Sequence, residues 1–187
     1  MNASRHLRRK YWSYAAGWVI CIYSTLYIVR PVCEFLKNNT PFALLTNASL
    51  IGLLVSLSIV LYRKARHQNA LAHVLFVLVI LAYVDGLGKI LNPEEKIHFL
   101  EYGFLAYLVY RAVSIDVRGG HAYLCAFLLT AVFGWIDEGI QHLLPGRYYQ
   151  IQDVLLNGFS AGLGLSWTFL FQQRNKHVAM NEDWPMI

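Results

Sequence analysis

Asp137, Glu138 and Gln141 lie in a stretch that is otherwise apolar for about 20 residues. Asp153 and Asn157 open the next apolar stretch, and Pro145-Gly146-Arg147 stands between them as a tight turn with one cation. An ionisable group at the centre of a membrane span costs about 2.5–3.5 kcal/mol on insertion scales. Keeping several across two consecutive apolar stretches argues for a use. Gly134, Asp137, Glu138 and Gln141 follow i, i+3, i+4, i+7, so they share one helical face. Gly134 leaves room on that face for a neighbour. Adjacent carboxyls in low dielectric repel, so one is expected to hold a proton unless a cation is close. Such a pair suits general acid–base work or cation binding. The plainer use is a polar network that glues helices together.

A second group precedes it. Glu94, His98, Glu101 and Tyr102 follow i, i+4, i+7, i+8, again one face, with Glu95 at its border and Lys96 pointing elsewhere. A helix entering the membrane at a charged interfacial end accounts for Glu94, Glu95 and Lys96. It accounts poorly for Glu101, two turns further in. Asp85 and Lys89, one turn apart, read as an intrahelical ion pair that lowers the insertion cost. In the last apolar stretch Asp153, Asn157, Ser160, Ala161 and Gly164 form one stripe. Gly158 to Gly162 is a GxxxG, a packing motif that is expected to bring this stretch against the preceding one. Asp153 and Asn157 would then meet Asp137 and Glu138. The resulting candidates are His98, Glu101, Asp137 and Glu138 for catalysis, with Tyr102, Gln141, Arg147, Asp153 and Asn157 for substrate binding.

Seven of the eleven acidic residues fall in this region, against Lys89, Lys96 and Arg147. That balance favours a bound cation, shared protons or a cationic substrate group. No metal ligand set is assigned and no cofactor is evident. A divalent cation, if held by these oxygens, would be Mg²⁺ or Ca²⁺ rather than zinc.

The elements that must position these groups follow from composition. The chain has 187 residues, 57% hydrophobic and 14% charged, where soluble domains carry roughly 25% charged residues. The expectation is an all-α, polytopic membrane bundle, with residues 1–172 as one integral membrane domain and 173–187 as a cytoplasmic polar tail. The net charge of +5 sits in short clusters beside apolar runs, which indicates topology and not nucleic-acid binding. Cys21, Cys33 and Cys125 read as small buried residues, not a disulfide set or zinc site. The basic N-terminus and the apolar run after it read as a retained first span, not a cleaved signal.

Six spans of about 20 residues can be drawn: Tyr11–Val29, Phe42–Tyr62, Leu71–Leu91, Glu94 to Ser114, His121–Leu144 and Gln152–Phe171. Arg30-Pro31 closes the first, and Pro31 to Pro41 forms a loop. Arg63 to Gln68 is the clearest basic loop, and Asp116 to Gly120 a short polar turn. Lipid leaves no partner for unpaired backbone groups, so the spans must be helices. With six spans both termini share a side. That side holds eleven Lys and Arg, against five on the other, which places the termini in the cytoplasm and the acidic region outside.

At these residues the sequence resembles the VanZ-like family of bacterial integral membrane proteins. The resemblance rests on His98-Phe99-x-x-Tyr102, Asp137-Glu138-x-x-Gln141, Pro145-Gly146-Arg147, Asp153 and Asn157, and covers about residues 80–170. It departs at one place. Family members often show Asp-Lys, two residues, then His, whereas Glu94-Glu95 occupy that pair here and Lys96 lies one residue nearer His98. The resemblance implies a bacterial inner-membrane protein of a family whose founding member is linked to resistance to teicoplanin, a lipid-tailed glycopeptide.

Three functions are compatible. One is a membrane-embedded enzyme acting on a lipid or cell-wall precursor at the outer leaflet. No Ser or Cys sits in a nucleophile motif, so water would attack directly. Another is a non-catalytic subunit that recognises an envelope lipid or a partner membrane protein. The last is a small transporter or proton relay, for which the first two spans supply no ionisable groups.

Overall fold

The computed structural model describes the backbone of residues 2–65, 70–90, 93–145 and 147–182, with side chains described from 5 to 172 except at 30, 61, 64–72, 91–94 and 146. Among the described residues six α-helices follow one another: α1 Asn2–Asn39, α2 Phe42–Ala65, α3 Ala70–Lys89, α4 Pro93–Val113, α5 Gly120–His142 and α6 Ile151–Glu182. No strand occurs among the described residues. Among the described residues four helical stretches are long and apolar enough to cross a membrane by length and composition: Arg5–Val29, Phe42–Val60, Gly120–His142 and Ile151–Gln172.

α4 is the least lipid-facing helix beyond its polar first turns. Phe99, Tyr102, Leu105, Ala106 and Val109 are fully buried, packed among α1, α5 and α6. α4 and α6 run side by side in the same direction. Ser160 hydrogen-bonds the Phe99 carbonyl, Gly164 lies on Gly103, and Tyr110 donates to Gln172 at 2.8 Å. α1 runs the other way. Tyr11 meets Arg111, and the Trp18 indole donates to the Glu101 carbonyl at 3.1 Å. The Arg8–Asp116 pair at 2.8 Å joins the start of α1 to the α4–α5 turn. The α1 start, that turn and the Gln172 part of α6 therefore share one end of the bundle. The α5–α6 connection lies at the other end, beside the start of α4. Large apolar side chains such as Leu44, Ile51, Leu78, Leu128 and Trp135 stay exposed on the outer faces, as a lipid-facing surface requires.

Several sequence expectations change. α1 does not stop at Arg30-Pro31. It continues through Pro31 to Asn39, and the expected loop shrinks to Thr40 and Pro41. Proline removes one internal hydrogen bond, a loss that spanning helices tolerate when their surroundings re-satisfy the freed carbonyl. α6 carries on into the tail as far as Glu182. Cys21 is exposed, Cys33 buried and Cys125 half-buried, and none of the three forms a disulfide. The Gly158–Gly162 motif does not make the tight contact. A Cβ at Gly158 would meet nothing within 4 Å, and one at Gly162 only the Phe127 ring at 3.8 Å. The close approaches are Gly164 on the Gly103 backbone, and Gly134 against Asn157, where a Cβ would sit 2.8 Å from the Asn157 Cβ. The stripe of Asn157, Ser160, Ala161 and Gly164 faces the neighbouring helices, and Gly158 and Gly162 lie off it. Arg66, His67 and Gln68 of the basic loop, and Gly146 of the tight turn, lie outside the described residues.

Candidate functional site

The buried face of α5 runs Ala122, Ala126, Thr130, Gly134, Asp137, Glu138 and Gln141. Its small members let neighbouring helices close in, and its last turns carry the polar groups. Asp137 is 0% exposed and Glu138 1%. The Gln141 amide donates to Asp137 Oδ2 at 3.2 Å, and Arg147 donates to Gln141 Oε1. Gln141 thus relays the cation of the α5–α6 turn to the carboxylate. The turn itself is closed by the Arg147 N–H on the Leu144 carbonyl at 3.3 Å. Glu138 Oε1 accepts the backbone N–H of Gln150 at 2.7 Å, which anchors the chain just before α6 begins.

α4 brings its polar face to the same place. His98 Nδ1 lies 3.1 Å from Glu101 Oε2 and 3.9 Å from Asp137 Oδ2. The shorter contact is poorly aligned, so the ring nitrogen has no hydrogen-bond partner. Tyr102 is fully buried, interacts with the Asp137 carboxyl, and points its hydroxyl at the Phe133 carbonyl at 3.5 Å. From α6, Asn157 is buried with its amide 3.5 Å from the Gly134 carbonyl. Asp153 is half-buried in the combined field of Glu138, Glu95, His98 and Arg147. His98, Glu101, Tyr102, Asp137, Gln141 and Arg147 form one connected chain of contacts. Glu138, Asp153 and Asn157 border it.

Two groups fall elsewhere. Lys89 and Asp85 pair at 2.6 Å, one turn apart on α3, with most of each side chain exposed. Lys96 turns to Asn47 of α2 at 2.7 Å. The Glu94 side chain lies outside the described residues.

The cluster holds three unsatisfied buried atoms: Asp137 Oδ1, Glu138 Oε2 and His98 Nδ1. A buried polar atom without a partner costs about 1–3 kcal/mol. A proton, a cation or a donor group on a ligand would satisfy both carboxyl oxygens. Among the described residues, no three His, Cys, Asp or Glu side chains gather as a metal-ligand set.

One contributor escaped the sequence reading. Tyr23 of α1 donates to the Phe133 carbonyl at 2.7 Å, and its hydroxyl lies in the field of Asp137. The available signal was a polar-tipped aromatic inside an apolar run, which usually has a partner when buried. The Gln150 N–H that holds Glu138 had no signal at all, since every residue but proline has one.

These features define an integral membrane protein, all-helical, with a buried polar cluster at one end of its bundle. The family model described as VanZ/LLP1 matches residues 11–172, so the chain belongs to the VanZ/LLP1 family. The match begins in α1 and so extends beyond the stretch from 80 to 170 that carried the resemblance. No curated protein and no solved structure matches the chain.

Proposed function

We propose that this VanZ/LLP1-family protein is a membrane-embedded enzyme that modifies a lipid or another cell-envelope component at the outer leaflet. One observation carries the reading: two adjacent, fully buried carboxyls each leave one oxygen unpaired, and Asp137 lies against His98, which α4 brings together with Glu101. A purely structural network would be expected to satisfy its members, because a half-satisfied buried network is worse than none. In this reading His98 or an α5 carboxylate takes a proton from water as the water attacks. A neighbouring carboxyl returns a proton to the leaving group. Arg147 leaves Gln141 to bind an anionic head group bidentately. Tyr102, Asp153 and Asn157 shape the substrate's surroundings.

The outer-leaflet assignment rests on the excess of Lys and Arg at the end of the bundle that holds both termini. In this reading the protein sits in a bacterial inner membrane with both termini on the cytoplasmic side. A change made there to an envelope lipid or wall precursor is also the route by which such a protein would bear on teicoplanin-type resistance.

The test compares extracted lipids and wall precursors from cells with the gene, without it, and complemented with Asp137→Asn, Glu138→Gln or Arg147→Ala. Each variant is expected to insert normally and to leave the null profile unchanged. Full restoration by all three would end the enzymatic reading. A stoichiometric copurifying membrane protein, with lipids unaltered by deletion, would assign the cluster to recognition instead.

A further inference from the structure

Arg111 stands in the last turn of α4, at the end of the bundle away from Asp137. Its partners among the described residues are all neutral. The guanidinium donates to the Tyr107 hydroxyl at 3.1 Å and to the Tyr11 hydroxyl. It lies 4.5 Å from the Tyr11 ring centre and 5.9 Å from that of Tyr107. Ring faces attract a cation but carry no net charge, and arginine does not shed its proton. The dipole at the end of α4 supplies only a partial negative charge. Among the described residues no carboxylate lies within 4.0 Å of the guanidinium. Cations that need a counter-ion less have one. Arg8 pairs with Asp116 at 2.8 Å and Lys89 with Asp85 at 2.6 Å, all four exposed. Arg111 is half-buried.

The polar groups around it can give hydrogen bonds. Each of the two tyrosine hydroxyls accepts from the guanidinium and keeps its own O–H to donate. Gln172 of α6 takes the Tyr110 hydroxyl at 2.8 Å and the Tyr123 hydroxyl at 3.2 Å, both on Oε1. That leaves its amide NH₂ as a donor. Arg111, Tyr107 and Gln172 line the same cleft. A guanidinium, two hydroxyls and a primary amide suit a ligand with several anionic oxygens, as a phosphate has. The depth fits as well. Tyr11 opens the first apolar stretch and Arg111 closes α4. The group therefore stands where hydrocarbon gives way to water, the level at which tyrosines gather and lipid head groups lie.

We propose that Arg111, Tyr11, Tyr107 and Gln172 form a binding site for a phosphate-type oxyanion, carried by a lipid head group or free in solution. The site lies at the opposite end of the bundle from the carboxyl cluster and does not depend on the enzymatic reading.

The test uses the full chain in dodecyl maltoside, a detergent without phosphate. Melting is followed while phosphatidylglycerol, a diacylglycerol with the same chains, or inorganic phosphate at constant ionic strength is added. Phosphatidylglycerol is expected to raise the melting temperature saturably, and the diacylglycerol to leave it unchanged. Protection by phosphatidylglycerol alone assigns the site to a lipid head group. Equal protection by inorganic phosphate assigns it to the free ion. Protection by neither, or equal protection by the diacylglycerol, would overturn the proposal. Arg111→Gln is expected to weaken the apparent affinity about tenfold or more, the loss of a charge-assisted hydrogen bond. Arg118→Gln removes an exposed arginine at the same end and is expected to bind as wild type does. Equal weakening by both variants would mean diffuse attraction and no site. If Arg111→Gln does not elute monodisperse, the double variant Tyr11→Phe with Tyr107→Phe takes its place. It keeps both rings and loses both hydroxyls, so affinity is expected to fall several-fold, and unchanged affinity would overturn the proposal.

Discussion

A carboxyl oxygen shut away from water with nothing to accept from is an open position for a ligand. Asp137 and Glu138 each have one, yet their second oxygens do different work. Asp137 Oδ2 takes the Gln141 amide, inside the polar cluster. Glu138 Oε1 takes a backbone N–H and ties the α5–α6 connection to α5. The two residues should therefore respond differently to substitution. Glu138→Gln keeps an acceptor for Gln150, whereas Glu138→Ala leaves that N–H unpaired at a cost of about 1–3 kcal/mol. Denaturant unfolding in micelles should rank the stabilities as wild type, close to Glu138→Gln, then Glu138→Ala. Equal stability for the two variants would mean the anchor contributes nothing. Tyr23→Phe removes one hydroxyl bond to the Phe133 carbonyl, and intramembrane bonds of this kind average about 0.6 kcal/mol. Its unfolding midpoint should shift only slightly. Any larger fall in the lipid phenotype than in stability would identify Tyr23 as a positioning residue for Asp137.

At the scale of elements, helix contacts in lipid are set by how closely backbones approach. The most prominent small-residue motif, Gly158 to Gly162, points to open space and one ring. The contact that counts joins Gly164 to Gly103, and there a Cβ would fall on backbone atoms that cannot turn aside. Gly164→Ala should force α4 and α6 apart and cost about 1–3 kcal/mol, the range seen for overpacked cores. Gly158→Ala should be neutral or slightly stabilising, because alanine is favoured over glycine in a helix by up to about 1 kcal/mol. Thermal aggregation of the two variants in detergent provides the comparison. The reverse order would mean the motif, not the observed contact, holds the helices. The pairing also matters to the site. It keeps α4 in the register at which His98 and Glu101 reach Asp137.

At the scale of the whole molecule, the polar cluster occupies one end of the bundle and the arginine-rich turns the other. Arg8, Arg111 and Arg118 all stand far along the helices from Asp137. If the cationic end is cytoplasmic, exposed Tyr148 faces outward. In a background without native cysteines, Tyr148→Cys should react with an impermeant maleimide on intact cells. Arg118→Cys should react only after permeabilisation. The opposite pattern would move the cluster to the cytoplasmic leaflet and exclude an outer-leaflet substrate.

The sequence alone determined that this chain is a bundle of helices in lipid, and where most of them run. Hydrocarbon leaves no other way to satisfy the backbone, and charges are too costly there to occur by chance. Their helical spacing already put His98, Glu101 and Tyr102 on one face, and Asp137, Glu138 and Gln141 on another. Only the tertiary structure decided which faces met. In lipid nearly every helix face is apolar, so the pattern that orients a soluble helix is almost flat. Rotation and depth are then fixed by small contacts between distant residues: Gly164 on Gly103, Tyr23 on the Phe133 carbonyl, Glu138 on the Gln150 N–H. None of these is encoded by local spacing.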